Sequence, residues 1–173
     1  MLTTHKVVIP KIITGVIESL SLMDTVALND FVNETLQSRV SRRVLAEQHL
    51  ALSTAFGSKN YKKSSVIGMV DTSCNASALV KKCTSLAFNL FSQSYSCEPP
   101  VVEVDGHIDA KFAYIPDHVE YIFFELLKNS MKASYDVQER LGDMPGIKVT
   151  IGKGDNQIMF RISDLGKPNR VVE

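Results

Sequence analysis

The chain has no surplus of either charge: 19 Lys and Arg balance 19 Asp and Glu. Its basic residues are scattered, so no electrostatic footprint points to nucleic acid or to an anionic membrane. Three cysteines, Cys74, Cys83 and Cys97, show no C-x-x-C spacing and leave one over. That argues against a disulfide framework or a structural zinc site and makes a reducing compartment the default. No apolar run approaches the roughly 18 to 20 residues that span a bilayer. The opening MLTTHKVV has neither a signal-type apolar stretch nor an Arg-rich transit pattern. What is present, 173 residues with 45% hydrophobic and 22% charged content, suits one or two small soluble domains with a buried core.

The first half reads as helix. From Lys6 to about Leu20, Val8, Ile12, Ile13, Val16 and Ile17 fall at helical spacing, with Pro10 tolerable only near the first turn. From Thr25 to about Ala55, Leu28, Val32, Leu36, Val40 and Val44 recur every four residues, and Leu45 and Leu52 extend the face, which predicts one long helix. FGSKNYKKSS is a polar break, and VIGMV (66–70) reads as extended. After DTSCN, a third helix places Leu79, Cys83, Leu86, Ala87, Leu90 and Phe91 on one face and ends before Pro99-Pro100. The domain boundary falls near Glu98, giving a helical domain, 1–98, and a second domain, 99–173.

The second part changes character. VVEV and AKFAYI flank the turn DGHI as a pair of strands. Asp117 with Glu120 three residues on resembles a capping box that opens a helix running to about Leu141 and ended by Gly142. Strict alternation in IKVTI and QIMFRIS puts Ile147, Val149, Ile151 and Ile158, Phe160, Ile162 on one side of two strands joined by GKGDN. The fold class is therefore α+β: a helical N-terminal part, then strands packed on one dominant helix.

That helix contains FELLKNSMKAS. Ile122, Phe123, Leu126 and Met131 are expected to supply its buried side. Glu125 and Asn129 are four apart and project from one face. A carboxamide oxygen suits a hard Mg²⁺ ion, and a carboxylate beside it can orient or deprotonate an attacking hydroxyl. Lys128 and Lys132 form a second pair able to offset phosphate charge. On spacing alone, a solvated helix face is the better explanation of these residues.

Order adds meaning. A helix bearing E-x-x-x-N, then a hairpin, then Asp-x-Gly at a strand end resembles the ATP-binding fold shared by gyrase, MutL and the histidine kinases (GHKL). Within it, HVEYIFFELLKNSMKAS is similar to the mitochondrial protein kinases of the pyruvate and branched-chain 2-oxoacid dehydrogenase complexes. SRVSRRVLAEQHLAL resembles their long bundle helix and VDTSCNASALVKKC the segment leading into the last bundle helix, while DGHIDAKFAYIP leans towards the branched-chain member. The resemblance implies a helical-bundle portion followed by a GHKL-type ATP-binding α/β sandwich. It also implies ATP and Mg²⁺ as cofactors, Glu125 as general base, Asn129 as the Mg²⁺ ligand, and His49 beside Glu125 to tune it. Asp164 would accept from the adenine amino group, Gly166 would let backbone approach the base, and Lys132 and, less directly, Lys128 would lie near the phosphates. The implied partners are the E1 component as serine-bearing substrate, the lipoyl-bearing E2 core and a second copy as homodimer. The implied place is the mitochondrial matrix.

Beyond Gly166 the sequence departs from the family plan. Lys167 and Pro168 stand where further glycines are expected, and no other glycine-rich loop is available to cradle phosphates. The resemblance also starts part-way into the helical domain. Both features lead to the expectation of a truncated kinase with an incomplete ATP site. Two other readings stay open at this level: a histidine-kinase core with His49 as phosphoacceptor, although HLAL lacks the expected acidic neighbour, and a non-catalytic fragment that binds the dehydrogenase core or a full-length kinase.

Overall fold

A computed structural model describes residues 8–57 and 65–166. The expected start of the first helix at Lys6, most of the polar break, and Lys167 and Pro168 lie outside the described residues. The chain divides into two compact units, Met1–Ala51 and Leu52–Glu173.

The first unit is helical. Helix α1 spans Val8–Ser19 and α2 spans Thr25–Phe56, which runs on into the second unit. Pro10 occupies the third position of α1, where a missing backbone N–H has no intrahelical partner to lose. Asp24 precedes α2 and its Oδ2 accepts from the Ala27 N–H at 3.4 Å. The four-residue stripe buries little within the described residues. Leu28 is buried, whereas Val40 and Leu45 are exposed.

The second unit holds β1 (Val66–Ile67), β2 (Val70–Asn75), α3 (Ala76–Ser94), β3 (Val102–Gly106), β4 (Lys111–Tyr114), α4 (Pro116–Leu141), β5 (Ile147–Lys153) and β6 (Ile158–Ser163). VIGMV is a tight hairpin rather than one extended segment, because Gly68 takes a positive φ of 64° and turns the chain between Ile67 and Val70. DTSCN, read as a connector, forms most of β2, and Asn75 caps α3 by accepting from the Ala78 N–H at 2.8 Å.

The expected pairing of VVEV with AKFAYI does not occur. β3 runs parallel to β5, which pairs antiparallel with β6, while β4 joins a separate sheet in the order β1-β2-β4. The reason lies at Gly106, whose φ of 84° turns the chain away from a hairpin path, and at His107, whose N–H donates to the Ile151 carbonyl at 2.8 Å. The strand is thereby tied to β5 before β4 begins.

The core joins three elements. Cys83, Ala87 and Phe91 of α3 pack with Phe123, Leu127 and Met131 of α4 and with Ile147 and Val149 of β5. Full burial of side chains of this size stabilises by about 1.5–3 kcal/mol each. Because α3 shares this core, the boundary placed near Glu98 falls inside the second unit, and the division between units lies within α2.

Candidate active site

Helix α4 is the site's scaffold. It starts at Pro116, whose ring presets a helical φ, and its N-cap Ile115 makes no side-chain cap. Asp117 therefore sits inside the first turn rather than capping it, and its expected partner Glu120 instead takes the Lys82 ammonium of α3 at 2.6 Å. The helix ends as read from sequence, at Gly142 with φ 80°, whose N–H donates to the Gln138 carbonyl at 2.7 Å.

The buried side of α4 is as expected at Phe123 and Met131 and differs from expectation at Ile122 and Leu126. Phe123, Leu127 and Met131 are buried at four-residue intervals, while Ile122 and Leu126 are exposed. A turn of about 100° per residue then carries Leu126, Asn129, Ala133, Asp136 and Arg140 onto the opposite flank. They form one wall of a cleft of about 850 Å³, together with Ser130 and Lys132. The other wall comes from the end of β6: Ile162, Asp164 and Gly166.

The structure thus brings four sequence-derived site residues, Asn129, Lys132, Asp164 and Gly166, into one cavity. Asp164 Oδ1 accepts from the Gly166 N–H at 3.0 Å, which closes the turn and leaves Oδ2 for a ligand. Glu125 and Lys128 do not line the cleft. Glu125 lies about one turn N-terminal to Asn129 and Lys128 immediately precedes it, the two joined by an ion pair in which Lys128 Nζ donates to Glu125 Oε2 at 2.6 Å. The remaining oxygen, Oε1, faces no partner in that pair. His49 sits exposed on α2 in the first unit.

Sequence reasoning missed Leu126, Ser130, Ala133, Asp136 and Arg140. Asp136 and Arg140 continue the Asn129 face by steps of seven and four, so extending the E-x-x-x-N periodicity would have found them. Arg140 is fixed by its Nε donating to the Asp136 carbonyl at 3.0 Å.

The cleft suits a nucleotide in shape and donor set. At Gly166 an added Cβ would stand 2.5 Å from the Ala133 Cβ, so the floor admits close backbone approach only with glycine there. Among the described residues no group of three or more His, Cys, Asp or Glu is placed to hold a metal. A Mg²⁺ ion at Asn129 would take the carboxamide oxygen as one ligand, with phosphate oxygens and water in other positions, which is an ordinary arrangement for this ion.

The family model described as mitochondrial branched-chain alpha-ketoacid dehydrogenase kinase matches residues 1–71. The mitochondrial pyruvate dehydrogenase (acetyl-transferring) kinase isozyme 4 of Rhinolophus ferrumequinum is 29% identical over 175 residues, covering 94% of this chain and 41% of its own. The Homo sapiens isozyme 4 is 28% identical over 184 residues, covering 98% of this chain and 43% of its own. The chain spans about two fifths of the length of the curated relatives it matches. With residues 1–71 matched by the family model and nearly its whole length matched by these kinases, the chain is similar to the mitochondrial kinases of the pyruvate and branched-chain 2-oxoacid dehydrogenases.

Proposed function

We propose that this chain contributes the bundle helix and the nucleotide helix of an ATP- and Mg²⁺-dependent protein serine kinase. Its substrate is the E1 component of a mitochondrial 2-oxoacid dehydrogenase complex in the matrix, approached through the lipoyl-bearing E2 core by a homodimer. The ATP-binding half follows the GHKL plan. The observation that supports this reading best is the meeting of Asn129 and Lys132 from α4 with Asp164 and Gly166 from the end of β6 in one cleft.

Each residue has a part. Glu125 takes the proton from the acceptor serine hydroxyl at Oε1, while Lys128 fixes the carboxylate through Oε2. Asn129 would hold Mg²⁺ through its carboxamide oxygen, and the ion would supply charge neutralisation for the phosphates. Lys132 adds a second positive charge. Asp164 accepts from the adenine amino group, and Gly166 keeps the floor low enough for the base to lie flat. The family resemblance would give His49 a part in tuning Glu125. The family comparisons favour neither the histidine-kinase core nor the non-catalytic fragment.

Transfer of radiolabelled phosphate from ATP to E1 serine, in the protein that carries this segment, tests the assignment. Glu125→Gln is expected to lower transfer by about 100-fold or more with nucleotide affinity nearly unchanged, and full activity of that variant would overturn the role. Residues 1–173 by themselves test the phosphate side. With Lys167 and Pro168 in place of glycines, adenosine and Mg-ATP are expected to bind within about tenfold of each other, because the base has its contact while the phosphates lack backbone donors. A tight Mg-ATP complex by titration calorimetry would show that a phosphate cradle forms after all.

A further inference from the structure

A second cavity, of about 300 Å³, lies between α3 and α4. Ala87, Leu90, Phe91 and Ser94 of α3, with Tyr95 at its C-cap, form one side. Lys128, Asn129, Met131 and Lys132 of α4 form the other. Its volume sits at the lower end of the range for small-molecule sites.

The two sides differ in chemistry. The α3 side is aromatic: the Phe91 and Tyr95 rings stand 4.6 Å apart by centroid, and Tyr95 in turn lies 4.3 Å from Tyr135. Such an array offers offset and edge contacts to one more ring. On the α4 side, the charged groups are two ammoniums, and no carboxylate lines the cavity. Lys128 already pairs with Glu125, and Ser94 Oγ is spent on the Leu90 carbonyl at 2.9 Å. Lys132 makes no ion pair among the described residues, so its charge is available.

We propose that this cavity binds a small aryl carboxylate, its ring against Phe91 and Tyr95 and its carboxylate on Lys132, with Lys128 as second donor. Asn129 and Lys132 also line the larger cleft. Occupancy therefore draws the Lys132 charge away from nucleotide phosphates, and the ligand opposes Mg-ATP. That antagonism rests on the kinase reading above, whereas binding of the aryl carboxylate does not.

The test uses 2-naphthoate, followed by its own fluorescence, with neutral 2-naphthalenemethanol as control and residues 1–173 as the protein. Leu90→Trp fills the cavity from a position 38% exposed and outside the larger cleft, so the fold and nucleotide binding are retained. Lys132→Gln removes the charge from an exposed position. Each variant is expected to weaken naphthoate by about tenfold or more, and the alcohol should bind at least about tenfold more weakly than the acid. Unchanged naphthoate affinity in Leu90→Trp, or equal affinity for acid and alcohol, overturns the proposal. Loss of nucleotide binding in Leu90→Trp would do so as well, by making the cavity part of the nucleotide site. If naphthoate binds as expected while Mg-ATP and adenosine do not bind at all, the kinase reading fails and the aryl carboxylate site stands.

Discussion

Gly166 and Ala133 meet across the cleft so closely that a Cβ on Gly166 would stand 2.5 Å from the Ala133 Cβ, and 3.0 Å from Asp164 Oδ1. One methyl group at this point separates a flat floor from a blocked one. Gly166→Ala is expected to weaken adenosine binding by about tenfold or more, with little change in melting temperature, since Gly166 lies beyond β6 and outside the hydrophobic core. Ala133→Gly in the same chain should restore much of the loss, at a stability cost of about 1 kcal/mol for glycine within a helix. Isothermal titration of the single and double variants checks both statements. A floor clash predicts recovery, whereas damage to the Asp164 turn alone predicts none.

The elements of α4, β5 and β6 were legible because their signals are local: a 3.6-residue period closed by Gly142, and a period of two in IKVTI and QIMFRIS. The β5-β6 hairpin was legible too, but the partners of β3 and β4 were not. Nothing local in VVEVDGHIDAKFAY separates a hairpin from two strands sent to different sheets, and the decision rests on Gly106 meeting Ile151, far away in the chain. Within the site, Asn129, Lys132, Asp164 and Gly166 were found through a resemblance of motif order, and the cleft joins them. Asp136 and Arg140 escaped because the motif stops short of them. The misplacing of Ile122 and Leu126 on the buried face of α4 has a similar source, since FFELL offers apolar residues on both flanks and only packing against α3 and β5 selects Leu127.

That selection gives a paired prediction at neighbouring positions. Leu127 is 0% exposed and packs in the core, while Leu126 is 47% exposed and lines the cleft. Leu127→Ala is expected to cost about 2–5 kcal/mol, the range for a large-to-small change in a packed core. Leu126→Ala should cost well under about 1 kcal/mol and weaken adenosine binding instead. Urea unfolding and nucleotide titration on the two variants should give opposite rankings.

The Cys83 thiol is pushed up to about 11, first by burial and then by the Glu120 carboxylate beside it. A folded value above the ordinary 9.0 means that the unfolded chain releases this proton first as pH rises. Stability is therefore expected to fall between 9.0 and about 11, and Cys83→Ala should reduce that slope. At neutral pH the same burial keeps Cys83 protonated and unreactive. Iodoacetamide on the native protein should label the half-buried Cys97 well before Cys83, as read by peptide mass spectrometry.

On the outer face of the β3-β5-β6 sheet, Lys148 Nζ lies 2.7 Å from Asp105 Oδ2. The Lys148 hydrogen bond holds the Asp105 carboxyl below its ordinary 3.8, so the stabilisation is present above 3.8 and is lost as pH falls through the lower folded value. The same bond raises Lys148 above 10.5, so its contribution is present below 10.5 and is lost as pH rises through the higher folded value. Both groups are exposed, and salt screens the pair. Lys148→Met is expected to flatten the acid limb of the urea midpoint against pH at low salt. In about 1 M salt, wild type and variant should converge.

Gly106 is the position where the fold of the second unit is decided. It combines a φ of 84° with a site at which an added Cβ would run into the Ile151 carbonyl oxygen. That carbonyl also accepts the His107 N–H at 2.8 Å, so any retreat of β5 to make room breaks the bond that ties β3 to it. Gly106→Ala therefore faces two costs at once, a left-handed backbone with a side chain and a contact with rigid backbone rather than a movable side-chain end. The loss is expected to exceed about 3 kcal/mol, more than at Gly142, which has φ 80° but nothing within 4 Å of an added Cβ. Gly142→Ala should cost about 1 kcal/mol. Comparing the two variants by urea unfolding separates strain of φ from closeness of approach: equal losses would mean that the contact with Ile151 relaxes at no cost, and that β3 is not held where its pairing with β5 requires.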